Sequence, residues 1–442
     1  MNKTFKLEQN HTNVRTEILA GVTTFLTMAY IIFVNPNILS QTGMDFGAVT
    51  TATCLSAALA TFCMAFMANY PFALAPGMGL NAFFTYSVCL VMGVPWHIAL
   101  TAVFVEGIIF IILTLTSIRE AVANCIPKTL KIGISAGIGL FITFIGLQNG
   151  GVIINNDSTL LGLTSFNVLN ATGETYTNLM SAILTIIGLI LIIVLEIRHI
   201  KGGILIGIAA VTILGIPFGI TQMPTGIVSL PPSIAPVFCK LDFSALANPE
   251  FWIIVFTFFF VDFFDTIGTL VGVASRADML DEKGQVPNIS PALMADAIGT
   301  TAGAVLGTST VTTFVESASG VEQGGRTGLT AFTTACLFLL ALFFSPLIAI
   351  VPSCATAPAL IMVGGYMMMN FKEMDFSDWT EFFPALIAFF MMGFSYSIAT
   401  GIEFGIISYV LIKIFVGKAK DINWILYILA AVFLANLLFF AS

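Results

Sequence analysis

The stretch FFFVDFFDTIGTL (258–270) places two carboxylates, Asp262 and Asp265, among phenylalanines. Three residues apart, they take neighbouring positions on one helical face. More acids sit in equally apolar surroundings: Glu106 in VFVEGIIF, Asp296 in ALMADAIGTT, Glu316 in TTFVES, and Glu403 close to the end of its segment. Few Lys or Arg residues lie at comparable places to pair with them. Burial without a counter-charge disfavours the ionised form of a carboxyl. Such groups serve as proton carriers or as acceptors for the N–H groups of a polar ligand. For Glu106 and Asp296 the alternative is a protonated side chain hydrogen-bonded to a neighbouring helix, and Glu403 reads as interfacial. Asp262 has two readings, lining a site or bonding a neighbouring segment into place.

The surroundings of these acids decide what they are for. The chain has 442 residues, of which 57% are hydrophobic and 9% charged, against about 25% charged in soluble domains. No soluble fold of this size hides so much apolar surface, so the solvent is a bilayer. A carboxylate at mid-bilayer costs roughly 2.5–3.5 kcal/mol, which makes each of the acids above worth an explanation. The seven cysteines show no metal-ligand spacing and the three histidines fall near segment ends; neither set suggests a metal site or a disulfide framework.

Apolar windows of about 20 residues, long enough to cross a bilayer, fall near 16–36, 47–69, 95–117, 131–150, 176–196 and 201–218, then near 251–275, 289–307, 328–350, 355–371, 380–397 and 400–417. Two further segments, 72–90 and 308–325, are apolar but rich in Gly, Pro, Ser and Thr, and count as broken spans. The expectation is an all-α polytopic membrane protein of about fourteen spans. A final apolar stretch, 423–441, is either a fifteenth span or an interfacial helix. With the N-terminus in the cytoplasm, Lys3, Lys6, Arg15, Arg119, Lys128, Lys131, Arg198, Lys201, Arg276, Lys283, Arg326, Lys372, Lys413, Lys418 and Lys420 all fall inside, leaving Lys240 outside. That is the asymmetry of the positive-inside rule.

Seven spans (1–218) precede a polar extracytoplasmic loop (219–250) and seven (251–420) follow it, with a C-terminal hydrophobic segment at 421–442. An odd number per half inverts the second repeat. Each half carries its broken segment third: FALAPGMGLNAFF (72–84) and AVLGTSTVTTFVES (304–317). Interrupted segments at matching places in two halves point to a transporter's binding site, and half-helix ends there offer backbone N–H groups and a positive dipole end. Asp265 on the first span of the second half, Glu316 and Thr313 in its broken segment, and Asn81 with Phe83 in the matching segment of the first half are the candidate substrate residues, with Asp262 beside them. Asp265, Glu316 and Asp296 are the candidate proton carriers. A carboxylate accepts two adjacent N–H donors side by side, an amide serves ring acceptors and aromatic rings stack on flat faces. A purine base fits this set.

Other chemistry is disfavoured. GMGLNA (77–82) lacks the strand–helix–strand context of a dinucleotide site, GGRTG (324–328) lacks the ending of a phosphate loop, and there is no HExxH or GxGD. An inorganic-anion transporter of the same architecture is the alternative, but an anion site wants positive charge.

The segments APGMGLNAFF (75–84), VDFFDTIGTLVGVASRAD (261–278) and GTSTVTTFVESASGVEQGGRTGLTA (307–331), with TEILAGVTTFLTMAYIIFVNP (16–36), resemble the AzgA-like purine permeases of the nucleobase–cation symporter-2 (xanthine/uracil permease) superfamily. The resemblance covers nearly the whole chain. It implies a 7+7 inverted repeat with a core domain (spans 1–4 and 8–11) and a gate domain (spans 5–7 and 12–14). It further implies proton symport of purine bases without a cofactor, elevator-like alternation in the cytoplasmic membrane, and a homodimer formed through the gates. Substrate ligands carried over are Asp265, followed by x-x-Gly268, and Glu316; the family's span 3 asparagine matches Asn81 and its span 9 aspartate matches Asp296. Glu316-Ser317 in place of an amide-rich motif favours guanine, hypoxanthine or adenine.

Overall fold

The computed structural model describes residues 2–116, 126–156, 158–167, 172–224, 226–276, 279, 286–287 and 289–439. Arg119 and Lys283 of the charge pattern, with Cys125, lie outside the described residues. Among those described, ten helices are long and apolar enough to cross a membrane. Shorter apolar helices, Met78–Val91, Gly203–Gly215 and Trp379–Phe394, fill the positions of spans 3, 7 and 13. Span 10 is a strand, Val311–Thr313, followed by the helix Ser317–Glu322. All fourteen expected positions are thus occupied.

Local chemistry sets the helix starts. The Asn13, Asp45, Thr327, Asp378 and Ser397 side chains each accept a backbone N–H at the first turn of spans 1, 2, 11, 13 and 14. These bonds satisfy donors that the helix itself leaves unpaired. At Asp378, the bonds from Thr380 hold the carboxyl below its usual range, with Lys413 and Lys418 adding to the effect. Buried Lys413 lies 3.3 Å from Glu381 and 3.9 Å from Asp378.

Spans 3 and 10 cross at the centre. Strand β1 (Leu74–Pro76) pairs antiparallel with β4 (Val311–Thr313), setting Leu74 opposite Thr313 and Pro76 opposite Val311. Strands β2 (Ile153–Asn156) and β3 (Leu160–Leu163) form a hairpin within the loop expected after span 5. Backbone bonds from Gly77 N to Thr310 O (3.0 Å) and from Phe314 N to Ala73 O (2.9 Å) continue the β1–β4 ladder. Extended backbone is tolerable at this depth because its polar groups are paired inside the protein. Gly77 is needed at the crossing, since a Cβ there would lie 2.6 Å from Thr312 Cγ2.

Around this crossing the helices pack in two groups. Span 1 lies against span 11, span 2 against spans 9 and 11, and span 4 against spans 8 and 9. Span 5 lies against spans 12 and 13, span 6 against spans 7 and 12, and span 13 against span 14. Small residues make the second set of contacts close: Gly133 meets Ala385, and Gly139 meets Gly364. The 219–250 segment covers the ends of spans 2, 9 and 11. Thr51 donates to Pro232 O (2.9 Å), Cys239 N to Val305 O (2.7 Å) and Ser229 N to Phe343 O (3.0 Å).

The C-terminal helix Trp424–Phe439 packs on span 14. Its Asn436 Nδ2 donates to Glu403 Oε1 at 2.7 Å, and Glu403 is buried. The last helix thus supplies both the cover and the donor for Glu403.

Candidate functional site

Between the two helix groups lies a cavity of about 470 Å³. One wall comes from spans 1, 3, 8 and 10: Thr27 and Tyr30; Gly77, Met78 and Gly79; Asp265 and Thr269; and Thr312 through Glu316. The facing wall comes from the end of span 6, the start of span 7 and the end of span 12, with Glu196, Gly202, Gly203, Tyr366 and Lys372. Lys372 is exposed at the mouth, so the cavity opens at the side carrying the connections 6–7 and 12–13.

The geometry follows from how the broken spans fold. Each runs from strand to helix, so the first turns of Met78–Ala82 and Ser317–Glu322 both begin at the cavity wall. Glu316 occupies the residue before the second of these helices. The Tyr30 hydroxyl donates to Glu316 Oε1 at 2.5 Å, fixing one oxygen. On span 8, Asp265 and Thr269 are four apart and share the face toward the cavity. Across the cavity Tyr366 lies beside Glu196.

The candidate residues divide. Asp265, Glu316 and Thr313 line the cavity. Asn81, Phe83, Asp262 and Asp296 are fully buried and do not line it. Asn81 accepts from the Ser309 hydroxyl and donates to Pro76 O (3.4 Å), joining the two broken segments to each other. Phe83 packs edge-on against Phe258 with centroids 4.8 Å apart; the rings at the cavity are those of Tyr30, Phe314 and Tyr366. Asp262 shares a face with Thr266, which donates toward it at 3.4 Å, and that face turns away from the cavity toward spans 4 and 9. Asp296 accepts from Thr313 N at 3.0 Å and from Thr266 at 3.1 Å, holding the back of β4.

Tyr30, Glu196 and Tyr366 were not among the candidates. Tyr30 had a signal, a lone phenol in TMAYIIF of the first span. Glu196 and Tyr366 had none, since one sits at a segment end and the other among methionines. Among the described residues, no group of three or more His, Cys, Asp or Glu side chains is placed to hold a metal ion.

A sequence model of the Permease family, Xan_ur_permease, matches residues 15–404. The chain belongs to that family. The permease is 43% identical over 436 residues to the adenine permease AdeQ of Escherichia coli strain K12, covering 98% of this chain and 95% of the relative. It is 43% identical over 450 residues to the guanine/hypoxanthine permease PbuG of Bacillus subtilis strain 168, covering 99% and 100%. Its fold is that of the transmembrane domain of the cyanobacterial bicarbonate transporter BicA, with a TM-score of 0.64 over 88% of the permease and 97% of that chain. At 16% identity this second likeness concerns the fold alone. The permease is accordingly a multi-spanning 7+7 inverted-repeat transporter and not an enzyme.

Proposed function

We propose that the permease imports purine bases (guanine, hypoxanthine or adenine) across the cytoplasmic membrane by proton symport, with its N-terminus in the cytoplasm. The observation that carries this reading is the meeting of two carboxylates, Asp265 and Glu316, at one cavity where two half-helices begin. Relatives of the same length and 43% identity carry the names of adenine and guanine/hypoxanthine permeases. A carboxylate pairs with the adjacent N–H groups along a purine edge, the cavity rings offer stacking faces, and 470 Å³ lies in the usual range for a small-molecule site. Asn81 and Phe83 act in this reading as supports of the broken spans.

In the cycle we infer, spans 1–4 and 8–11 form the core that carries the base, and spans 5–7 and 12–14 form the gate against which it slides. Two walls from different helix groups suit that motion. The bicarbonate transporter's fold does not favour anion transport here, because the cavity presents carboxylates.

The test is uptake of labelled guanine into cells, with adenine, hypoxanthine, uracil, xanthine and sulfate as competitors. Purines compete and sulfate does not. Glu316→Gln and Asp265→Asn each weaken purine affinity by roughly 5- to 150-fold, the worth of a bidentate base contact of about 1–3 kcal/mol. Unaltered uptake in both variants would refute the site. Uptake indifferent to a collapsed proton gradient would refute the coupling.

A further inference from the structure

Behind strand β4, on the side away from the cavity, three carboxyls from three spans meet: Glu106 of span 4, Asp262 of span 8 and Asp296 of span 9, all fully buried. Glu106 Oε2 accepts from Thr310 Oγ1 at 3.1 Å. Asp262 Oδ1 faces Thr266 Oγ1 at 3.4 Å, and Asp296 Oδ2 faces the same hydroxyl at 3.1 Å. Thr266 Oγ1 is also 2.7 Å from Thr312 Oγ1, and Thr312 lines the cavity.

The Glu106 and Asp262 carboxyls are direct neighbours, each acting on the other. The two oxygens that no Thr hydroxyl or backbone N–H reaches are Glu106 Oε1 and Asp262 Oδ2. Two adjacent buried carboxylates repel if both are ionised, whereas one proton held between them gives both orphan oxygens a partner. Among the described residues no Lys, Arg or His forms an ion pair with any of the three acids. The charged groups that face the pair are Asp296 from span 9 and Asp265 a turn further along span 8.

We propose that Glu106 and Asp262 share one proton in this conformation, and that this is the proton the permease couples to purine movement, leaving through Thr266 and Thr312. The inference rests on the symport reading above and assigns its proton site. Asp265 and Glu316 open directly onto the cavity, whereas the pair is enclosed and reaches it through hydrogen-bonded hydroxyls, most directly Thr266 and Thr312. Along that route the carboxyl proton passes to Thr266 Oγ1, the Thr266 proton to Thr312 Oγ1, and the Thr312 proton to water in the cavity. One proton moves in total and no heavy-atom bond changes. The pair then carries two negative charges instead of one, and their repulsion opens the contact between spans 4 and 8. Thr310 on Glu106 and Thr313 on Asp296 tie the same cluster to β4, so the protonation state reaches the backbone that presents Glu316. Thr266 has a single hydrogen for several acceptors, so its orientation changes with the location of the proton.

Purified permease in proteoliposomes tests this. In Glu106→Gln the amide donates permanently to Asp262 and cannot titrate. Purine binding and the exchange of labelled for unlabelled purine persist in this variant. Accumulation driven by an imposed proton gradient is lost, and net uptake no longer varies with pH. A Glu106→Gln permease that accumulates purine on a proton gradient as the unaltered protein does would overturn the inference. So would loss of exchange together with accumulation, which marks a packing role. If Glu106→Gln fails to reach the membrane, Asp262→Asn replaces the same shared proton with an amide and is read by the same two assays. Failure of the unaltered permease to accumulate purine on a proton gradient would instead overturn the symport reading itself.

Discussion

At the scale of the residue, Tyr30 shows how one hydroxyl organises the cavity. It is buried, packs against Phe314 with centroids 6.4 Å apart, and donates to Glu316 Oε1. The ring is held by packing and the hydroxyl by the acid, so Tyr30→Phe separates the two roles. The variant folds and binds purine roughly 10- to 150-fold more weakly, since a hydrogen bond to a charged group is worth about 1.5–3 kcal/mol. Titration calorimetry on the purified variant reads the affinity. An unchanged Kd would mean that Glu316 is oriented without Tyr30. The same scale shows what residue types alone reveal. Asp265 and Glu316 stand out because a carboxyl in an apolar run needs a reason, and both reach the cavity. Asp262 has the same signal three residues earlier, but the helical turn carries it to the other face. Sequence supplies the acid and the periodicity, and only the neighbouring spans decide which face meets the cavity.

At the scale of the element, the crossing of spans 3 and 10 is the most constrained place in the molecule. Gly77 approaches Thr312 so closely that a Cβ would sit 2.6 Å from Cγ2, and Thr312 is itself bonded to Thr266. Gly77→Ala therefore pushes β1 from β4 and lowers stability by about 1–3 kcal/mol, the usual cost of overpacking, with a parallel loss of uptake. Thr312→Ser removes the clashing methyl and keeps the hydroxyl, so the double variant regains most of both. Thermal unfolding in detergent, followed by fluorescence, checks the pair; a double variant no better than Gly77→Ala would put the clash elsewhere. That spans 3 and 10 are broken was legible from Pro76, Gly77, Gly79 and the Ser/Thr run 308–313. That their strands pair with each other was not, because register between segments more than 200 residues apart leaves no mark in either. Glu17 is a similar case. It reads as the ordinary first turn of span 1, yet its carboxylate accepts from the Arg326, Thr327 and Thr330 backbone N–H groups and the Thr330 hydroxyl, capping span 11 from a helix 309 residues away.

For the whole molecule, hydropathy and the distribution of Lys and Arg carry nearly all of the architecture, because a bilayer permits few alternatives to paired helices. What they leave open is which end of the cavity is closed. Lys201 and Lys372 lie on the connections at its mouth, and the 219–250 segment covers spans 2, 9 and 11 one crossing away. The positive-inside reading puts the mouth in the cytoplasm and that segment outside. Cys239 in the segment is exposed, and Val315, 48% exposed, lines the cavity. A membrane-impermeant maleimide on intact cells is expected to label Cys239, with Cys239→Ser as the control. Without purine it labels Val315→Cys, built on the Cys239→Ser background, much more slowly. Inside-out vesicles reverse the second result, and guanine in the cavity slows the labelling of Val315→Cys. Faster labelling of Val315→Cys from outside than from inside, with Cys239 of the unaltered permease protected, would invert the molecule in the membrane. Labelling of Val315→Cys from both sides in turn, with guanine shifting the balance, is the behaviour of a core that carries its site past the gate.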